Sequence, residues 1–309
     1  VSYIFILYVI SGFWHINTFI NRSIIQNIGM TMEDKAVVDT APIERPPVQH
    51  VIEANPLLAR VEMPGTTYQL PSRGLFYRNG ELRDDVEIGE VHVSPMSAYD
   101  EILMKSPDQL YSGEAVEKVF RRCIKQVLKP SELIAKDVDF LLVCLRQITY
   151  GNDMEVTYTH NCEEAKTNSY IVQLSDFITT TKKIDPTTVG KIYTMKMENG
   201  QVVKLHPSKF KDIIKMYQDT ETLNTTPEAE LDLAVFAIGS IIYSVDDITN
   251  KQQIAEWIRE IPAGWLGELS SIIEKASDFG PNYTLKTACK DCGEPIEIHT
   301  PVNPISFFM

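Results

Sequence analysis

The sequence predicts an α+β protein in which helical bundles are combined with short antiparallel β-hairpins. Three observations lead there. Apolar residues recur at helical spacing in separate runs, such as Val116, Val119, Phe120, Cys123 and Val127, then Val138, Leu141, Leu142, Leu145 and Ile148. Between such runs lie stretches of alternating apolar and polar residues, two of them joined by Asn199-Gly200, a dipeptide suited to the left-handed angles of a tight hairpin turn. Two further stretches, near residues 154–174 and 283–299, each read as strand, knuckle, strand. With 44% hydrophobic and 23% charged residues over 309 positions, the chain can bury one large core or two ordinary ones, which excludes disordered and fibrous classes.

Residues 1–29 stand apart. No Lys, Arg, Asp or Glu occurs from Val1 to Ile20, about the length of a spanning helix, but Ser2, Ser11, Gly12, His15, Asn17 and Thr18 interrupt the run. Upstream translation ahead of Met30 or Met32 is the preferred reading, with a membrane anchor and a buried segment as alternatives. Residues 30–58 form a flexible lead-in, where Pro42, Pro46, Pro47 and Pro56 disfavour helix at the preceding residue. A strand-plus-helix domain is expected over 59–150 and a hairpin-plus-helix domain over 151–309, closed by the C-terminal knuckle.

Within the first domain, Val61, Met63, Tyr68 and Leu70 alternate like a strand, Asn79-Gly80 marks a turn, and Val86, Ile88, Val91 and Val93 extend the pattern. A hydroxyl residue before proline starts a helix, because the side chain can accept from free first-turn N–H groups and proline needs no partner there. Ser94-Pro95, Ser106-Pro107 and Thr226-Pro227 carry that signal. The second domain opens with strands at Met154–Tyr158 and Tyr170–Leu174, followed by the hairpin Ile192–Glu198 with Gln201–Leu205. Helices follow around Phe210–Tyr217, Leu231–Tyr243, Ile254–Ile258 and Trp265–Ile273. The run 231–243 is apolar nearly all round and is expected at the centre of a core.

The formal charge of −13, from 42 acidic and 29 basic side chains, would repel a phosphate backbone over most of the surface. Five cysteines in a chain of this size make no dense disulfide framework and point to a reducing compartment. Cys123 and Cys144 read as core thiols. Cys289-Lys-Asp-Cys292-Gly293 is a half-site for zinc, in which two thiolates converge on one ion. Three residues after Cys162 stands Ala165, so a four-cysteine ribbon cannot form. A structural Cys3His site from His160, Cys162, Cys289 and Cys292 remains open, beside the alternative of a metal-free remnant, which makes the pair degenerate zinc-ribbon-like.

No catalytic motif accompanies these residues. Gly-x-Ser-x-Gly, His-Glu-x-x-His, a phosphate-cradling glycine loop and a dinucleotide fingerprint are all missing from the sequence. Asp84-Asp85, Asp246-Asp247, Asp137 and Asp139 read as caps of turns and helix starts. The sequence therefore favours a protein that acts by binding and not as an enzyme. A zinc-ribbon nucleic-acid-binding regulator is the alternative. It would need a basic face at Lys286 and Lys290, which Asp291, Glu294 and Glu297 oppose.

Four blocks in order then resemble one family. They are Tyr68-Gln-Leu-Pro-Ser-Arg-Gly-Leu-Phe-Tyr77, Gly89 to Leu103, Lys136 to Gly151, and Val302-Asn-Pro-Ile-Ser-Phe-Phe308. Residues 60–309 are similar to the baseplate hub family of T4-like bacteriophages with contractile tails. The resemblance implies a structural or chaperone role in virion morphogenesis: assembly of the baseplate hub, with other hub and tail proteins as partners. It places the chain in the host cytoplasm during assembly, and in the tail baseplate if it stays in the virion. The family pattern carries paired cysteines at the first knuckle, and Ala165 departs from it. Arg73, Phe76 and Tyr77 suit an interface, with packing on the chain's own helices as the alternative. Phe307 and Phe308, at the end of an apolar tail, either fold into the core or insert into a partner's groove.

Overall fold

A computed structural model describes residues 64–78, 80–162, 167–222, 227–300 and 307–308. The expectations for residues 1–63, Asn79, Ala165, Thr226 and 302–306 lie outside these. Among the described residues the first sheet pairs β1 (Thr66–Gln69) with β2 (Glu90–Val93), antiparallel, with Tyr68 opposite Val91. Four helices follow: α1 (Ala98–Met104), α2 (Pro107–Tyr111), α3 (Glu114–Cys123) and α4 (Ala135–Tyr150). The hairpin β3 (Asp153–Thr159) and β4 (Thr167–Gln173) leads into a short α5 (Leu174–Thr179).

A one-turn α6 (Val189–Ile192) precedes β5 (Thr194–Lys196) and β6 (Val202–Leu205), which pair around Asn199-Gly200. Then come α7 (Phe210–Thr222), α8 (Pro227–Ile241), β7 (Ile242–Val245), α9 (Lys251–Glu260) and α10 (Ala263–Ala276). The hairpin β8 (Thr284–Ala288) and β9 (Pro295–His299) closes the series. Helices and small antiparallel sheets coexist, so the fold class is α+β.

Two large cores organise these elements. In the first, α4 buries Val138, Phe140, Leu141, Leu142, Val143, Cys144 and Leu145. Around it pack Val91 and Val93 of β2, Val116, Val119 and Phe120 of α3, Met154 and Val172 of the β3–β4 hairpin, and Phe307 and Phe308. The second core lies between the β5–β6–β7 sheet and the helices α7 to α10, around Val203, Ile238, Ile242, Ile258, Leu269 and Ile273. Tyr77 packs against both cores.

Four local expectations are corrected. Val86 and Ile88 do not extend β2, because Ile88 (φ 52°) and Gly89 (φ 69°) are both left-handed and no strand continues through such a pair. Helix α1 does not start at Ser94-Pro95. Ser97 and Asp100 form a reciprocal capping box, which fixes the start at Ala98, while the Ser94 N–H donates to Cys123 O at 2.9 Å. The expected strand from Ile192 begins only at Thr194, since α6 occupies the preceding turn. Finally, the apolar run at 231–243 changes state at Ile242: β7 joins β6 as a third strand, with Ser244 opposite Lys204. A continuously apolar run suits a buried strand as well as a buried helix, so periodicity alone could not place that break.

Candidate metal centre

Each strand-knuckle-strand unit contributes half of a cluster. His160 and Cys162 follow β3, and the Cys162 N–H donates to His160 O at 2.9 Å, folding the chain tightly. Cys289 and Cys292 follow β8. There the Cys289 N–H donates to Glu294 O at 2.8 Å and the Gly293 N–H donates to Cys289 O at 2.9 Å, a turn that needs the left-handed Gly293 (φ 75°).

The two knuckles meet although they are far apart in sequence. Lys290 donates from its backbone to the Tyr170 hydroxyl at 3.3 Å, donates from Nζ to Ser169 O, and lies 5.0 Å over the Tyr170 ring. Asn168 donates to Asp291 at 2.6 Å. Beneath these contacts sits a small apolar cluster of Tyr170, Cys289, Ile296 and Ile298.

The result is that one ligand atom each from His160, Cys162, Cys289 and Cys292 lies within 4.8 Å of every other. For comparison, Zn–S bonds near 2.3 Å in a tetrahedron place sulfurs about 3.7 Å apart, so the four atoms lie close to the spacing that one ion requires. Cys292 Sγ is 3.5 Å from His160 Nδ1. The outer nitrogen, Nε2, lies 4.0 Å from the Glu294 carboxylate, the side on which a carboxylate orients a ligating imidazole. Backbone N–H groups of Cys292 and Asp291 draw the Cys289 thiol down to about 7, which favours the thiolate a metal requires, although its burial opposes this. Three sulfurs and one nitrogen therefore can hold a metal ion, and all four positions come from the protein.

The other singled-out residues go elsewhere. The Tyr77 hydroxyl donates to Asp137 at 2.6 Å and accepts from the Ile134 N–H at 2.9 Å. Ser72 donates to the same carboxylate from its N–H, at 3.0 Å, and from its hydroxyl. Asp137 is thus the anchor of the 70–77 segment, a role beyond the helix-start cap expected of it. Burial pushes it up to about 6 against the three donors, which favour the charged form. Phe76 packs at 4.9 Å against Tyr193 and at 5.3 Å against His206. Phe307 and Phe308 are buried in the first core, and Arg146 donates to Phe307 O while stacking on its ring at 5.2 Å.

Arg73 is half-buried, with an Nε that has no hydrogen-bond partner. Asp139 is buried and pushed up to about 7 by desolvation, despite the nearby Lys136. Asp246 does serve as a cap, accepting from the Val202 N–H at 2.8 Å. The cluster residues were all visible in sequence, whereas the Ser72–Tyr77–Asp137 contact was not, since it joins positions about sixty apart with no shared motif.

No helix among the described residues is long and apolar enough to cross a membrane. Comparison with curated proteins and with solved structures gives no match. The family model described as T4 bacteriophage base plate protein matches residues 76–309, which is most of the chain, and includes both knuckles, the anchor helix and the buried phenylalanine pair. The chain belongs to that family of bacteriophage baseplate proteins.

Proposed function

We propose that the protein acts in assembly of the baseplate hub by protein–protein binding, as a hub subunit or as an assembly chaperone. The family match over residues 76–309 carries this reading. An acidic surface supports it physically, because net charge far from zero opposes self-association and steers partners that carry basic patches. The partners in this reading are other hub and tail proteins, met in the host cytoplasm during assembly. The test is affinity capture of the tagged full chain from phage-infected cells, with mass spectrometry of the captured proteins and of finished virions. Hub and tail proteins in the capture support the reading. Presence of the chain in virions assigns a subunit, and absence from them a chaperone. A chain that stays alone in the presence of every baseplate protein overturns it.

The same reading assigns structural zinc to His160, Cys162, Cys289 and Cys292. A complete set of protein ligands leaves no open position, so the ion would hold the two hairpins together and take no part in a reaction. Elemental analysis of the purified full chain should give close to one zinc per chain, and a Cys289→Ser, Cys292→Ser double variant should give none. Zinc retained by that variant would remove the assignment.

A further inference from the structure

A cleft of about 410 Å3 opens between the 73–78 segment and the 80–89 loop, lined by Arg73, Arg78 and Arg83 together with Glu81 and Asp84. Arg83 is offset by Asp85, which leaves Arg73 and Arg78 beside Glu81 and Asp84. The arginines differ in what they already hold. Arg83 is paired with Asp85, its Nε donating at 3.1 Å and its Nη2 at 3.0 Å from the carboxylate. Among the described residues neither Arg73 nor Arg78 forms an ion pair, and the buried Nε–H of Arg73 has no acceptor. Two hydrogen bonds from Thr187 lower the pKa of Asp185, and the Arg73 charge adds to them only slightly. Glu81 is buried and engaged, accepting from the Arg78 N–H at 3.1 Å.

The walls are built rather than incidental. Arg73 (φ 53°) and Ile88 (φ 52°), two of the three left-handed non-glycine residues among those described, both line the cleft. Backbone held in such a conformation persists where surrounding contacts over-determine it, and functional sites are where such residues collect. Here the Ser72 and Tyr77 bonds to Asp137 hold one wall. The other wall crosses it at Gly89, where any Cβ would stand 2.5 Å from the carbonyl carbon of Arg73. Backbone fixed this way leaves less ordering at Arg73 to be done on binding.

We propose that this cleft binds a carboxylate presented by an acidic segment of a partner protein, with Arg73 and Arg78 as the receiving groups. The inference rests on the reading of the chain as a protein-binding assembly component. Planar guanidinium groups match carboxylates through paired N–H donors. Nucleic-acid phosphate would meet the same donors; the protein-binding reading of the chain is what favours a carboxylate, and a nucleotide ligand in the test separates the two.

The test uses the full chain and a fluorescein-labelled hexaglutamate peptide, with binding followed by anisotropy at about 50 mM salt, where surface charges are weakly screened. Inorganic phosphate and a thymidine hexanucleotide serve as parallel ligands. The peptide should bind, and Arg78→Gln should weaken it about tenfold, the size of one lost charged hydrogen bond. Arg73→Gln should act similarly. Lys204→Gln, an equal change of charge at an exposed strand position, should leave binding unaltered. Arg78 is exposed, so its variant should melt within a few degrees of the parent even if Arg73→Gln does not fold.

Absence of peptide binding overturns the proposal, and so does an equal loss in Lys204→Gln. Tighter Arg78-dependent binding of the hexanucleotide or of phosphate assigns the cleft to phosphates and overturns it too. If baseplate proteins still co-purify while the peptide fails, the cleft is wrong and the assembly role stands. Peptide binding without baseplate partners leaves the cleft and removes the assembly role.

Discussion

Helix α4 is enclosed on nearly every side, with Leu141, Cys144 and Leu145 fully buried among residues drawn from Leu70 to Phe308, whereas at the knuckles, among the described residues, the buried cluster is Tyr170, Cys289, Ile296 and Ile298. Apolar burial grows with the area removed from water, at roughly 25 cal/mol per Å2, so the first core is stabilised without any ligand. Four side chains cannot match that, and a lone hairpin is marginal in water. The knuckle region instead concentrates ligand atoms that a metal can bind together. The contrast teaches that one chain can rest on buried area in one place and gather metal-capable side chains in another.

The largest expected effect tests that contrast directly. Structural zinc contributes on the order of 10 kcal/mol at such sites. Stripping it with a strong chelator should therefore abolish amide-exchange protection over residues 284–299 and leave α4 protected. Protection retained at the knuckles would show that the small cluster stands without metal. Loss at both places would make the two regions one cooperative unit.

Leu141→Ala is the converse probe. Removing a fully buried leucine side chain should cost about 2–5 kcal/mol, measured by denaturant unfolding, with zinc content per folded chain unchanged. A cost below about 1 kcal/mol would mean that the first core repacks around the gap. A smaller effect is expected at the anchor between the cores. Tyr77→Phe removes a donor to Asp137 and the acceptor of the Ile134 N–H, and should cost about 1–3 kcal/mol. If the variant is as stable as the parent, the hydroxyl is not what holds the 70–77 segment.

The smallest effect is a pH slope belonging to the first core. Asp137 and Asp139 are raised from the ordinary 3.8 to about 6 and about 7 by burial. In the window between the ordinary and raised values the folded chain binds more protons than the unfolded one. Stability from these groups is thus fully present below about pH 4 and is lost as pH rises through 6 and 7. Asp139→Asn should flatten the upper part of that slope, seen as a Tm that falls by a few degrees less between pH 5 and pH 8. An unchanged slope would place the titration elsewhere.

Much of the site was readable from local sequence because knuckles are local objects. Cys289-x-x-Cys292-Gly293 and His160-x-Cys162 declare their chemistry by residue type and spacing, and Asn199-Gly200 declares its turn. The 70–77 segment shows the opposite case. Its aromatic and arginine residues suit a surface as well as a packed loop, and only the position of Asp137 shows that Tyr77 points inward. The two phenylalanines near the C-terminus were equally ambiguous until the pocket beside Arg146 and Tyr150 received them. The break at Ile242 has no local signal, because helix and strand bury that side chain equally well.

Sequence by itself determined the α+β class, the helical faces, the hairpin turns and the identity of four metal-capable side chains, because each depends on residues within a few positions of one another. Tertiary structure alone decided that the two half-sites converge, that Asp137 ties a loop to a helix, and that Arg73 and Arg78 share a cleft. Those outcomes depend on contacts across tens to more than a hundred residues. Such contacts follow from how whole faces pack, and no local pattern encodes them.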